Sequence, residues 1–319
     1  MKKPAFIFPG QGSQTVGMGQ DLYNNFAVAK AVFEEVDDAL GEKLSTLMFS
    51  GDEANLTQTQ NAQPAIMTVG MAVVRVIESE TGKRLQDLAS CVAGHSLGEY
   101  TALCAADALN ISDCAKLLRA RGLAMAEAAH KNPGGMAAIL ALTFDQVKGI
   151  IENTDLGSEQ VVIANDNCPG QIVISGHEEA LNKVMEAAKA AGAKRAIKLA
   201  VAGPFHSPLI QSAAELMKDV LAHTDLKNPS VPLIANVTGK FVKQADEIKE
   251  LLIRQVTGSV LWTDSLKFMS SQGINRFVEC GNGKVLAGLV KKTLPDAAVA
   301  SLGNTEEIKA YLEQFENKN

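Results

Sequence analysis

The hydrophobic pattern of the chain falls into two rhythms. A short apolar run, Ala5–Phe8, breaks at Pro9 into a glycine-rich segment. Up to residue 47, and again over 64–78 and 112–129, apolar positions return every three or four residues, the period of amphipathic helices. A second short apolar run at 88–94 reads as a strand that leads straight into another helix. Strands separated by helices imply a mostly parallel sheet covered on both faces.

The rhythm changes after "HKNPGG" at 130–135. Residues 136–142 read as a strand and 144–153 as a helix. Two strands follow at 161–165 and 171–175 around a Pro-Gly turn, then a helix at 178–191 and a strand at 194–199. This β-α-β-β-α-β order is the ferredoxin-like unit. The expected fold class is α/β: a large hydrolase-like domain with a mostly parallel sheet, formed by 1–130 and 200–319, and an inserted smaller ferredoxin-like α+β domain at 131–199. Its closing strands are expected at 231–236 and 276–279.

The junction at 88–101 carries the first chemical signal. "GHSLG" places Ser96 between Gly94 and Gly98 where a strand turns into a helix, the context of a nucleophile elbow. A bare serine hydroxyl is a poor nucleophile and needs a base. Five histidines compete. His95, His130, His177 and His223 are expected to be solvated or to cap helices. His206, in "GPFHSP", follows a strand and precedes Ser207 and Pro208, a plausible N-cap and first helical residue. The positive end of that helix would keep the imidazole neutral. For a third member, Asp107, Asp113, Asp145 and Asp166 lie between serine and histidine, none in a convincing strand-end loop. The helix before Gly258 offers another source, because its last carbonyls, around Gln255, lack intrahelical partners.

One charge is out of place. Advancing about 100° per residue, "DCAKLLRARGLAMAEAA" puts Arg121 in the middle of a face built from Cys114, Leu117, Leu118, Ala124, Met125 and Ala128. A guanidinium there needs an anion, either an internal carboxylate or one brought by a substrate.

Composition narrows the classes. A net charge of -6 argues against nucleic-acid binding or a basic membrane-surface protein, and no segment has transmembrane length. The apolar run in "MKKPAFIFPG" is too short for a signal-peptide core. Five cysteines without a C-x-x-C pair fit neither a disulfide framework nor a zinc site. A cytoplasmic, metal-free protein is expected. "GQGSQTVG" and "GNGKVL" miss the residues of a nucleotide site and read as tight loops at strand ends.

"FPGQGSQTVGMG", "NAQPAIMT", "GHSLGEY", "RG", "GPFHS" and "RQV…W" occur in the order found in malonyl-CoA:acyl carrier protein transacylases. The chain resembles that family, and the related acyltransferase domains of fatty acid and polyketide synthases, from residue 6 to about 290. The resemblance implies Ser96 as nucleophile, His206 as general base and then acid, and the backbone carbonyl of Gln255 as the group that holds the histidine. It implies an oxyanion hole from the N–H groups of Gln11 and Leu97. Arg121 would grip a malonyl carboxylate, with Gln63 and Asn165 lining the pocket. No bound cofactor is implied; malonyl-CoA and the phosphopantetheine of the acyl carrier protein are the substrates, and a monomer is expected. Lys194 and Arg195, near the cleft, are candidates for carrier-protein docking. Asn282 departs from the family's proline and bears on loop rigidity. A discrete malonyltransferase of a polyketide pathway, a serine acyl hydrolase and a non-catalytic docking protein are the alternatives.

Overall fold

The computed structural model describes residues 2–316. The eleven strands among them are β1 (Ala5–Phe8), β2 (Cys91–Gly94), β3 (Gly135–Leu140), β4 (Val161–Cys168), β5 (Gln171–Gly176), β6 (Arg195–Lys198), β7 (Leu233–Ala235), β8 (Lys240–Val242), β9 (Val260–Leu261), β10 (Arg276–Cys280) and β11 (Ala298–Leu302). They form a six-stranded sheet in the order β11-β10-β1-β2-β7-β8 and a five-stranded sheet in the order β6-β3-β5-β4-β9.

The six-stranded sheet is parallel apart from β8, which turns back along β7. Strict alternation along its central strands sends side chains to opposite faces. Phe6, Phe8, Val92 and Leu233 enter the core beneath the helices Thr59–Thr81, Gly98–Ala105 and Ile111–Lys131. Ala5, Ile7, Cys91, Ala93 and Ile234 face the other way, onto Trp262, Leu266, Leu286 and Leu289. Both faces are therefore dry, and fully burying each large side chain contributes roughly 1.5–3 kcal/mol. The fold is α/β, as the sequence pattern implies.

The second sheet is antiparallel through β6, β3, β5 and β4. With the helices Phe144–Asn153 and Glu178–Ala190 on one face, it encloses its own core around Ile139, Val147, Ile174, Leu181 and Val184. That is the ferredoxin-like arrangement. Its fifth strand, β9, comes from a distant part of the chain and runs parallel to β4, pairing Asn165 with Val260. The two-residue β9 carries no periodic signal of its own, so only the tertiary pairing creates it. The strands β8 and β11 were likewise not expected.

Several boundaries differ from the periodicity. The strand expected to reach 142 ends at Leu140, because Ala141 takes φ 73° and donates its N–H to Gly170 O instead of the ladder. The long helix expected at 64–78 runs from Thr59 to Thr81, with Pro64 inside it. Its first turn is held from outside: it packs on the helix Ile111–Lys131 where Gly122 supplies no side chain. A Cβ at Gly122 would sit 2.5 Å from Gln60 Cα and 2.7 Å from Thr59 O.

This contact yields a stability prediction. Gly122→Ala gains helix propensity but must push the two helices apart. Overpacking of this kind costs roughly 1–3 kcal/mol, so the thermal midpoint should fall. A midpoint equal to or above that of the native protein would show that the helices are free to separate.

Candidate active site

The elbow is built on backbone contact. Gly94 and Gly98 are glycine for a steric reason: a Cβ on Gly94 would lie 1.8 Å from Gly98 O, and one on Gly98 would lie 2.2 Å from Phe8 O. Between them Ser96 takes φ 51°, in the left-handed region that side chains disfavour. His206 does the same, at φ 55°. Each such residue costs of order 1–3 kcal/mol and persists only where its surroundings enforce it. For Ser96 the enforcement is visible: its N–H donates to Asn236 Oδ1 at 2.8 Å and its carbonyl accepts from Gln255 Nε2 at 2.9 Å. Asn236 is itself anchored, donating from Nδ2 to Gly94 O at 2.7 Å.

Ser96 Oγ lies 2.9 Å from His206 Nε2. On the far side of the ring, His206 Nδ1 is 2.9 Å from Gln255 O and 3.1 Å from Gly258 O. Two carbonyls can only accept, so Nδ1 carries the proton and Nε2 is left as the acceptor for the serine hydroxyl. Both carbonyls belong to the end of the helix Ala245–Thr257, where Gly258 N–H takes Arg254 O and leaves the later carbonyls free. The pairing of β9 with β4 holds this segment in place. The carboxylates considered for that position are engaged elsewhere or remote: Asp107 pairs with Arg84, Asp113 with Asn110 and Asp166 with Thr263, while Asp145 sits in the first turn of the helix Phe144–Asn153.

Arg121 is 1% exposed. Its Nη1 donates to Gln63 Oε1 at 2.8 Å, and its Nη2 donates to Gln255 Oε1 at 2.9 Å and to Ser96 Oγ at 3.1 Å. The Tyr100 ring lies 5.5 Å from the guanidinium carbon. Its hydrogen-bond acceptors are thus all neutral, and Nε has none. Burial lowers the pKa of this guanidinium, opposed by Tyr100 and Glu99 nearby.

The loop after β1 closes over the elbow. A Cβ at Gly10 would meet His95 O at 2.7 Å, so glycine brings the loop, and Gln11 with it, against the serine turn. Leu97, buried, stands at the N-cap of the helix Gly98–Ala105, where N–H groups have no intrahelical partner. Asn282 ties the same loop down, donating to Ser13 O at 2.6 Å and Thr15 Oγ1 at 2.9 Å.

Not every candidate comes together. Asn165 is buried on β4, opposite Val260, and its side chain makes no hydrogen bond to Ser96, His206 or Arg121. Asn167 on the same strand is the one that reaches the elbow, with Oδ1 2.8 Å from His95 Nε2. His95 itself packs against Trp262 and is neither solvated nor a cap, which corrects the sequence expectation. His177 does open a helix, and His130 and His223 are exposed. Lys194 and Arg195 are exposed at the start of β6.

The acyl transferase domain family matches residues 5–316. The malonyl CoA-acyl carrier protein transacylase of Bacillus subtilis (strain 168) is 43% identical over 319 residues, covering 100% of this chain and 99% of the relative. This chain belongs to the acyl transferase domain family.

Solved structures agree with that membership. The acyl-carrier-protein S-malonyltransferase of Bartonella henselae superposes on this acyltransferase with a TM-score of 0.95 at 47% identity, over 99% of this chain and 100% of that one. A type II PKS acyl-carrier protein in complex with its malonyl-transacylase gives 0.94 at 36% identity, over 98% and 100%.

Three polar residues of the acyltransferase site were missed by sequence reasoning: Glu99, Asn236 and the side chain of Gln255, all nearly without solvent exposure. A signal existed for Glu99. The helix "GEYTALCA" is otherwise free of charge, and a helix apolar on all sides is a buried one. Burial pushes the Glu99 carboxyl up to about 7, against the hydrogen bonds from Gln255 and Asn236 and the Arg121 charge. No comparable pattern marks Asn236.

The imidazole of His206 is lowered to about 3, first by burial and then by the Arg121 charge. The helix end expected to do this is only a three-residue turn, Pro208–Ile210, leading into the helix Gln211–Ala222. A histidine held neutral when folded and free to protonate near 6.5 when unfolded makes the unfolded state the better proton binder. Stability from this group is complete above pH 6.5 and is lost as pH falls toward 3. Glu99, raised on folding, works in the opposite sense over the same range, so the test is a difference: thermal melts should show the native midpoint falling relative to that of His206→Gln as pH drops from 6.5 toward 3. The acid limb of kcat/KM should likewise sit well below 6.5; a limb centred there would contradict a neutral, buried base.

Proposed function

We propose that this acyltransferase moves a malonyl group from malonyl-CoA to the phosphopantetheine thiol of an acyl carrier protein through a malonyl-Ser96 intermediate. The observation that carries the reading is Arg121: a buried guanidinium with only neutral acceptors, 3.1 Å from the serine oxygen. Malonyl differs from acetyl by one carboxylate, and that carboxylate is the anion the guanidinium lacks. The names of the relatives point the same way.

In the first half-reaction Ser96 Oγ attacks the thioester carbon while His206 Nε2 takes the hydroxyl proton. The carbonyl oxygen becomes an oxyanion, which the N–H groups of Gln11 and Leu97 stabilise. The tetrahedral species collapses, the C–S bond breaks, and His206 returns its proton to the departing CoA sulfur. In the second half-reaction the carrier-protein thiol gives its proton to His206 and attacks the malonyl ester. Serine leaves and recovers that proton. The carbonyls of Gln255 and Gly258 keep the imidazole in the tautomer both steps need and stabilise the imidazolium between them. Gln63 holds Arg121 through the other terminal nitrogen, Nη1, leaving Nη2 toward the serine. We assign 1–130 and 200–319 to the catalytic domain and 131–199 to the small domain, in a cytoplasmic monomer. The reducing compartment agrees with five buried free cysteines. Among the described residues no helix is long and apolar enough to cross a membrane, and no cluster could hold a metal ion.

Intact mass after mixing with malonyl-CoA alone should show one added malonyl group, mapped to the Ser96 peptide and absent from Ser96→Ala. Losing hydrogen bonds to a charged group costs roughly 1.5–3 kcal/mol, so Arg121→Ala should lose malonyl transfer by about 10–150-fold. Its relative use of acetyl-CoA should rise. An unchanged malonyl-to-acetyl ratio would mean that Arg121 does not meet the carboxylate.

The carrier protein approaches with an acidic surface, and this protein is acidic overall, so local cations must attract it. Lys194 and Arg195 lead into the segment that ends at His206, and among the described residues Arg195 makes no ion pair, whereas Lys198 is engaged by Glu178. Reversing both charges should raise the apparent KM for carrier protein and leave that for malonyl-CoA almost unmoved. Equal changes in both would place docking elsewhere.

A further inference from the structure

Glu99 is the one charged side chain in a helix whose eight residues are all buried. It is 1% exposed. Its Oε2 accepts from Gln255 Nε2 at 2.7 Å and from the Asn236 backbone N–H at 3.2 Å. Its Oε1 has no hydrogen-bond partner among the described residues. It contacts neither the serine hydroxyl nor the imidazole, and the reaction described above leaves it unused.

What Glu99 does touch is the amide of Gln255, and the orientation of that amide is decided by its neighbours. Nε2 faces three oxygens: Glu99 Oε2 at 2.7 Å, Ser96 O at 2.9 Å and Asn236 Oδ1 at 3.4 Å. Oε1 faces Arg121 Nη2 at 2.9 Å. Turned over, the amide would set its NH2 against a guanidinium NH2 and its oxygen against three oxygens. The three contacts are not equal. Asn236 Oδ1 is the longest and already serves Ser96 N–H, and Ser96 O is shared with Glu99 N–H. The carboxylate oxygen is the shortest, and charge-assisted when ionised.

We propose that Glu99 is a positioning residue for recognition of the malonyl carboxylate, acting by holding the Gln255 amide with Oε1 toward Arg121. This rests on the malonyl reading given above. Among the described residues Arg121 has three hydrogen-bond acceptors, Gln63 Oε1, Ser96 Oγ and Gln255 Oε1. Ser96 Oγ is consumed when the ester forms. Gln255 Oε1 is then the group on the serine side that keeps the guanidinium in register with the bound carboxylate. Without Oε2 of Glu99 the amide is free to turn, and the guanidinium loses that acceptor. Acetyl has no carboxylate to misplace. The unpartnered Oε1 adds a condition: Oε2 alone does the holding, so a neutral side chain that keeps an oxygen there keeps the function.

The test compares Glu99→Leu, which removes the acceptor, with Glu99→Gln, which retains one. It measures kcat/KM for malonyl-CoA and acetyl-CoA alongside a thermal melt. In Glu99→Leu the malonyl-to-acetyl ratio should drop about tenfold, the scale of one lost hydrogen bond to a charged group, chiefly through KM for malonyl-CoA. Glu99→Gln should stay within about twofold of native. An unchanged ratio in folded Glu99→Leu, or equal losses for both acyl groups, overturns the proposal. So does Glu99→Gln falling as far as Glu99→Leu, since charge rather than the acceptor would then matter. If Glu99→Leu does not fold, Glu99→Asp takes its place, because it withdraws the acceptor by one methylene and carries the same expected drop. A native protein with no malonyl preference overturns the reading beneath the proposal, and with it the proposal. A native preference that Glu99 variants leave unmoved overturns the proposal alone.

Discussion

The guanidinium of Arg121 is a cation sealed against the Ser96 hydroxyl, and nearly every polar group around Ser96 can be understood from its presence. Removing a charge from water is expensive, and the penalty is contained only when every available acceptor is turned toward it. Gln63, Gln255 and the serine oxygen are turned in this way. The same field falls on His206, where it adds to burial in keeping the imidazole unprotonated. One residue thus places a cation beside the serine oxygen and helps hold the imidazole neutral. A protein carboxylate bonded directly to Arg121 would cancel both effects.

That arrangement explains why carbonyls stand behind the histidine. An aspartate there would add a negative charge near the Arg121 guanidinium and weaken its field at the site. Two backbone carbonyls fix the tautomer without a formal charge. They are supplied by a helix end, where the last carbonyls have no intrahelical partner. The strained backbones of Ser96 and His206 belong to the same construction. Each side chain leaves its turn in a direction that ordinary φ values would not give, and the surrounding hydrogen bonds sustain the strain.

Gln255 is the residue through which these demands meet. Its carbonyl reaches His206, its amide oxygen reaches Arg121 and its amide nitrogen reaches the Ser96 carbonyl and Glu99. Imidazole, guanidinium and serine turn therefore share one support. A displacement of the helix Ala245–Thr257 would disturb all three together, and β9, locked beside β4, ties that helix end to the second sheet.

Much of this was legible in the sequence wherever the cause is local. The spacing of Gly94 and Gly98 around Ser96 follows from steric rules that act within a few residues, and so does the stop at Gly258. The apolar face around Arg121 follows from helix period alone, as does the β-α-β-β-α-β order between residues 135 and 198. What the chain does not encode locally is which distant polar atoms meet. Asn236 carries no periodic signal, and Glu99 reads as an ordinary first-turn carboxylate until its helix is seen to be buried on every side. The cause of the lowered His206 pKa was misread for the same reason: burial and a neighbouring cation are properties of packing, not of the residues beside it in sequence. Propensity and period thus determined the elements and the candidate chemistry. Only the tertiary structure decided which acceptors surround the buried cation, because hydrogen bonds such as that from Arg121 to Gln255, 134 positions away, form only once the chain has closed.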